Sequence, residues 1–231
     1  MFDYLGLDAC LYDETLDTYT WVVDNASYQE LNNLRRFLES SIETVAIGLA
    51  EIAENSGVVK DEIVVHRLGL IPIVADIDAL TTREDECSET SCVVFGLYKR
   101  NKESLPVYVT SEDLVWLPSQ GQDMSPPYAL YPDFIITRLL PGQIIDLKAY
   151  AFKGTADDHV RWSSIYSSYG QTTNAKGGMY PCIPCADRIK TSLVRGVGCY
   201  YFSIKLTGGI TIDQVMKQVR DRYLTSQNPR L

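Results

Sequence analysis

The sequence predicts an α+β fold: a split domain built from both chain ends, with a β-rich domain inserted between them. Three observations carry this expectation. The chain opens on a strand pattern followed by an amphipathic helix, and it closes on the same pair. Between them strand patterns dominate, without the regular strand–helix alternation that a parallel sheet requires.

Taken in order, "TYTWVVD" (18–24) is rich in β-branched and aromatic residues and reads as a strand. "NASYQELNNLRRFLESSI" follows as a helix. Ser27 with Glu30 three residues later is a capping-box signature, and Leu31, Leu34, Leu38 and Ile42 recur at helical spacing as one apolar stripe. A helix of about 15 residues is marginal alone in water, so the stripe needs something to pack against. Arg35 and Arg36 edge that stripe. Val45, Ile47 and Leu49 then alternate as a strand. Strands are also expected at 92–100, 105–111 and, as a pair about the Pro141-Gly142 turn, within 133–152. In the second strand of that pair Ile145, Leu147, Ala149 and Ala151 share a face. Polar, Gly- and Pro-rich stretches at 118–132 and 163–181 read as loops. A last strand (199–209) ends at Gly208-Gly209. The closing helix sets Ile212, Val215, Val219 and Tyr223 on one side, with Thr211 or Asp213 available to cap it.

"DEIVVHRLGLIP" (61–72) holds one of the chain's 2 histidines. Read as a helix, it places Asp61 and Glu62 at the N-terminus and His66 and Arg67 at the other end, each where the helix dipole favours its charge. Val64 and Leu68 form the buried face. Gly69 suits a left-handed residue just past the helix, and Pro72 follows. Glu62 and His66 are one turn apart and can pair, which would favour the charged imidazole rather than a base. Helix position explains every polar residue here, so His66 reads as a structural residue and not a catalytic one.

The chain has 231 residues, 21 basic and 30 acidic, for a net charge of −9 and a pI near 4.7. Such a surface repels phosphate backbones, which argues against autonomous nucleic-acid binding. The N-terminus has no basic region leading into an apolar core, so no signal peptide is expected. No apolar run reaches the roughly 20 residues that span a bilayer. An intracellular protein without membrane contact follows as the expectation.

Several blocks together resemble a known family. "NNLRRFLESSIETVAIGLAEIAENSGVVKDEIVVHRLGLIPI" (32–73), "LLPGQIIDLKAYAFKGTADDHVRW" (139–162) and "GGITIDQVMKQV" near the C-terminus are similar, in order, to the α-like subunits of multisubunit RNA polymerases. These are the third-largest eukaryotic subunit, its archaeal D-type counterpart and, more distantly, the bacterial α N-terminal domain. Collinear blocks are more specific than any single motif. The resemblance implies a dimerisation domain from residues 1–44 and 176–231, with an inserted β-rich domain over 45–175. It implies a heterodimer with a smaller α-like subunit, contact with the second-largest subunit and with other polymerase subunits, and little or no direct DNA contact. Leu31, Leu34, Leu38, Ile212, Val215 and Val219 would face the smaller partner, and Arg35 and Arg36, matching the family's arginine pair, the large subunit. Asp61, Glu62, His66, Arg67, Gly69 and Pro72 would be structural parts of the signature. A nuclear location is implied, or a virion or cytoplasmic factory for a diverged viral member, which the short C-terminus and few cysteines suit.

Many eukaryotic relatives bind zinc through four cysteines. Here the matching loop keeps only Cys87 and Cys92, while Cys182 and Cys185 form a separate Cys-x-x-Cys pair. Three readings stand: a zinc site from all four, a site lost in this lineage, or a redox pair at Cys182 and Cys185. Loss is expected, because two distant half-sites must meet in space before zinc binds; no cofactor is then required. The alternative function is a small zinc- or redox-binding module centred on Cys182 and Cys185. His159, in "TADDHVRW", follows two acids but has no accompanying nucleophile or metal set, so a loop-anchoring hydrogen bond is expected of it rather than acid–base work.

Overall fold

The computed structural model describes residues 11–24, 27–80, 92–119, 122, 124–171 and 199–224. The fold is α+β, and the chain divides into two units. The first comprises residues 1–42, 165–207 and 212–231; the second comprises 43–164 and 208–211.

The first unit is built on a four-stranded antiparallel sheet. Its strands are β1 (Leu11–Asp13), β2 (Thr18–Asp24), β11 (Ile165–Gln171) and β12 (Cys199–Leu206), in the order β1-β2-β12-β11. Trp21 pairs with Phe202 and both are fully buried; their neighbours Thr20 and Ser203 share a hydroxyl–hydroxyl hydrogen bond of 3.0 Å. Alternation does the rest, with one face apolar and the other hydroxyl-rich. Helix α1 (Tyr28–Ser40) packs on β11. Its capping box is complete: the Glu30 amide donates to Ser27 Oγ (3.2 Å), and the Ser27 amide donates to Glu30 Oε2 (2.8 Å). The expected inserted domain, reaching residue 175, would include β11. Pairing with β12 puts this strand in the first unit instead. The closing helix also differs. Only Ile212–Gln218 (α3) is α-helical, and the chain widens to a π-helical turn over Val219–Leu224, where the Tyr223 ring meets Phe37 of α1 at 5.0 Å between centroids.

The second unit contains a sheet ordered β3-β10-β5-β7, from β3 (Glu43–Asn55), β5 (Val93–Arg100), β7 (Val115–Trp116) and β10 (Ile144–Thr155). Ile145, Leu147, Ala149 and Ala151 share a fully buried face, and the last three pair through the register with Leu97, Phe95 and Val93 of β5. Two short ribbons complete the β structure: β4 (Ile73–Val74) with β8 (Tyr128–Ala129), and β6 (Val107–Thr110) with β9 (Ile135–Leu139). The strands on either side of Pro141-Gly142 are therefore not a hairpin. The turn is present, with Gly142 at φ +82°, but β9 joins β6 while β10 joins β3 and β5. Asn101, buried, holds this divergence: its Nδ2 donates to the Leu105 (2.8 Å) and Leu139 (3.0 Å) carbonyls.

Strand β3 carries a correction of its own. Ile47 pairs with Ala151, yet Leu49 pairs with Tyr150, so Gly48 is an extra residue in the ladder. A β-bulge reverses the alternation beyond it. Val45 and Ile47 are buried as expected, but Leu49 is 44% exposed on the other face. A glycine within a strand pattern is a recognised bulge signal.

Candidate assembly surface

Helix α2 (Asp61–Gly69) forms over the expected residues, and the loop before it explains the "ENSG" run. Asn55 Nδ2 donates to Asp61 Oδ1 (2.6 Å) and to the Val59 carbonyl (2.9 Å), while its Oδ1 accepts from the Gly57 amide (2.9 Å). Ser56 exchanges backbone and hydroxyl bonds with Ile144 of β10. At the other end, Arg67 Nη1 donates to the Ile136 carbonyl of β9 (3.0 Å), and the Pro72 carbonyl accepts from the Leu130 amide. Glu62 and His66 are exposed and form no ion pair with each other. Gly69 is not the left-handed terminator expected of it, since it is the last residue of the helix and the cap, Leu70, has φ −95°. Its reason is close approach instead: a Cβ there would stand 3.2 Å from both the Ile47 carbonyl oxygen and Arg161 Nη1.

The "TADDHVRW" block comes to the same place. Residues 160–162 form a 3₁₀ turn capped by His159, whose Nδ1 accepts from the Arg161 amide (3.1 Å) and from Arg161 Nε (3.2 Å). This is the loop-anchoring role expected of His159. Arg161 Nη1 reaches the carbonyls of Ile47 and Gly48 at 3.0 and 3.1 Å. The Trp162 ring lies over Gly154, which has no room for a side chain, and its Nε1 donates to the Phe152 carbonyl. Thr44 Oγ1 donates to the Trp162 carbonyl (2.7 Å). Arg161, Asn55 and Gly48 do not stand out in the sequence as site residues; of the three, only Gly48 carries a local signal.

Beside this turn, the Thr155 hydroxyl (2.8 Å) and amide (3.2 Å) donate to Asp158 Oδ2 and hold its carboxyl below the usual range. A carboxyl depressed in the fold contributes stability above its unfolded value of about 3.9 and loses it as pH falls through the folded value. Carboxyl NMR titration of Thr155→Val is expected to move Asp158 upward toward an ordinary aspartate; an unmoved midpoint would count against the hydroxyl as the main cause.

In the first unit the apolar stripes are not presented to a partner by the single chain. Leu31, Leu34 and Leu38 are 1–2% exposed, Val215 and Val219 are buried, and Ile212 is half-buried. Within the single chain they are covered by its own residues. The two arginines also part company. Arg35 Nη1 pairs with Glu39 Oε2 at 2.5 Å, its Nε and Nη2 donate to Asn32 Oδ1, and Glu39 Oε1 accepts from the Ser167 amide and hydroxyl of β11. Arg36 is exposed and makes no hydrogen bond or ion pair with the described residues.

Cys92 is buried in an apolar cluster with Ala46, Val94, Phe152 and Trp162. Cys87, Cys182 and Cys185 lie outside the described residues, and the zinc and redox readings that need them lie there too. No helix among the described residues is long and apolar enough to cross a membrane.

No family model matches the chain. Individual relatives do. It is 35% identical over 153 residues to DNA-directed RNA polymerase subunit Rpo3 of Pyrobaculum islandicum, covering 64% of this chain and 55% of that protein. It is 35% identical over 158 residues to DNA-directed RNA polymerase II subunit rpb3 of Dictyostelium discoideum, covering 64% and 51%. It is 30% identical over 185 residues to subunit RPAC1 of DNA-directed RNA polymerases I and III of Mus musculus, covering 71% and 48%. The chain spans about half the length of the curated relatives it matches. Over the part they share, this chain is a homologue of the α-like subunits of DNA-directed RNA polymerase.

Proposed function

We propose that the chain is a non-catalytic assembly subunit of an intracellular DNA-directed RNA polymerase, pairing with a smaller α-like subunit and docking the second-largest subunit. The observation that carries this is the homology, spread over 64–71% of the chain and shared by archaeal and eukaryotic polymerase subunits alike. The relatives act in transcription complexes by name. The local geometry supports a scaffold: its polar motif residues are spent on tying strands, turns and α2 together.

Of the two arginines expected to meet the second-largest subunit, the docking role falls on Arg36 rather than on Arg35. Arg35 is occupied by Glu39 and Asn32, whereas Arg36 is exposed on α1 and unpaired among the described residues. Exposed charges at the rim of an interface govern encounter and register more than fold stability. Arg36→Glu is therefore expected to melt like the parent chain while recovery of the second-largest subunit in a tagged pull-down falls by about tenfold, the size of a lost interfacial charge contact. Undiminished recovery would remove Arg36 from the interface. Failure to recover any polymerase subunit with the parent chain would remove the polymerase reading itself.

A further inference from the structure

We infer that His159 and Arg161 form a clasp that sets the bulge in β3 and, through it, the seat of α2. The bulge leaves carbonyls out of regular ladder pairing, and buried or half-buried carbonyls need a donor. Arg161 supplies one, with Nη1 bridging the Ile47 and Gly48 oxygens. The same guanidinium lies against Gly69 at the end of α2, so the helix meets the strand where the arginine holds it. His159 in turn fixes the guanidinium. Its Nδ1 accepts two N–H groups of Arg161, one from the backbone and one from the side chain. Only a neutral imidazole with its proton on Nε2 offers that lone pair. Three stretches distant in sequence, 44–50, 67–70 and 159–162, thus converge on one planar, forked cation, a geometry that lysine cannot reproduce. His159 and Arg161 are positioning residues for α2.

The His159 ring also sits edge-on to Trp162 at 6.4 Å, so packing and hydrogen bonding must be told apart. Amide hydrogen exchange of the full chain does this, independently of any polymerase partner and hence of the functional proposal above. Peptides spanning 46–50 and 67–71 are the readout, the latter containing the Leu70 and Ile71 amides bonded to Arg67 and Leu68. Arg161→Lys is expected to exchange about tenfold faster at both, as loss of one or two hydrogen bonds implies. His159→Asn, which keeps an acceptor near the Nδ1 position, is expected to exchange like the parent. His159→Phe, which keeps the ring but not the acceptor, is expected to behave like Arg161→Lys. Protection in His159→Phe equal to the parent, or its loss in His159→Asn, overturns the clasp, as does unchanged exchange in Arg161→Lys.

Discussion

Leu34→Asp is expected to unfold the first unit of the chain on its own, before any partner is considered. Leu34 is 1% exposed on the face of α1 that packs on β11. Removing the leucine forfeits about 2–3 kcal/mol of apolar burial, and an unpaired carboxylate in that place costs several kcal/mol more or takes up a proton. Together these rival the whole stability of an ordinary domain, roughly 5–15 kcal/mol. Circular dichroism of the variant should show loss of a cooperative thermal transition for this unit, while Arg36→Glu melts like the parent. The pair matters because either substitution depletes an assembled complex, and only the melt separates a lost fold from a lost contact. A Leu34→Asp chain that melts normally by itself would return the stripe to the surface and favour the partner-facing reading.

That contrast marks where sequence reasoning stops. The spacing of Leu31, Leu34 and Leu38 and the Ser27–Glu30 box specify a helix, its start and its apolar side, and the structure has all three. An apolar stripe says only that something must cover it; whether the cover is the chain's own sheet or another polypeptide depends on topology, which periodicity does not encode. Leu49 fails for a related reason. Alternation extrapolated through Gly48 puts it in the core, and one extra residue in the ladder turns it out. Gly69 is legible as a position that suits glycine, but the cause is the close approach of a carbonyl and a guanidinium from sequence-distant residues, not a left-handed φ. The Pro141-Gly142 turn is legible as well, whereas the separation of β9 from β10 is not, because a turn fixes chain direction and not which strand each arm pairs with. Arg161 has no signal at all: its role appears only when the bulge, α2 and the 160–162 turn meet.

The second large effect is expected at Gly209. A Cβ built there would lie 2.0 Å from the Ile73 carbonyl oxygen, 2.4 Å from its carbon and 2.7 Å from the Val74 nitrogen. These are backbone atoms of β4, which is held on its other side by pairing with β8 through Ile73–Ala129 and Val74–Tyr128. A flexible side chain could swing away; a paired backbone cannot. Gly209→Ala must therefore pull β4 from β8 or lift residues 208–211 off the second unit, at a cost on the order of 3 kcal/mol or more. Gly142 provides the comparison. Its φ of +82° is unfavourable for alanine, but nothing lies within 4 Å of a Cβ there, so Gly142→Ala should cost only about 1 kcal/mol of backbone strain. Urea titration of the two variants is expected to rank Gly209→Ala as clearly the less stable. Equal midpoints would mean that the contact between residue 209 and β4 is absent in solution, and that the Gly-Gly pair serves only to turn the chain. The ordering follows from what each missing methyl would meet, which is why two glycines that look alike in sequence are expected to respond so differently.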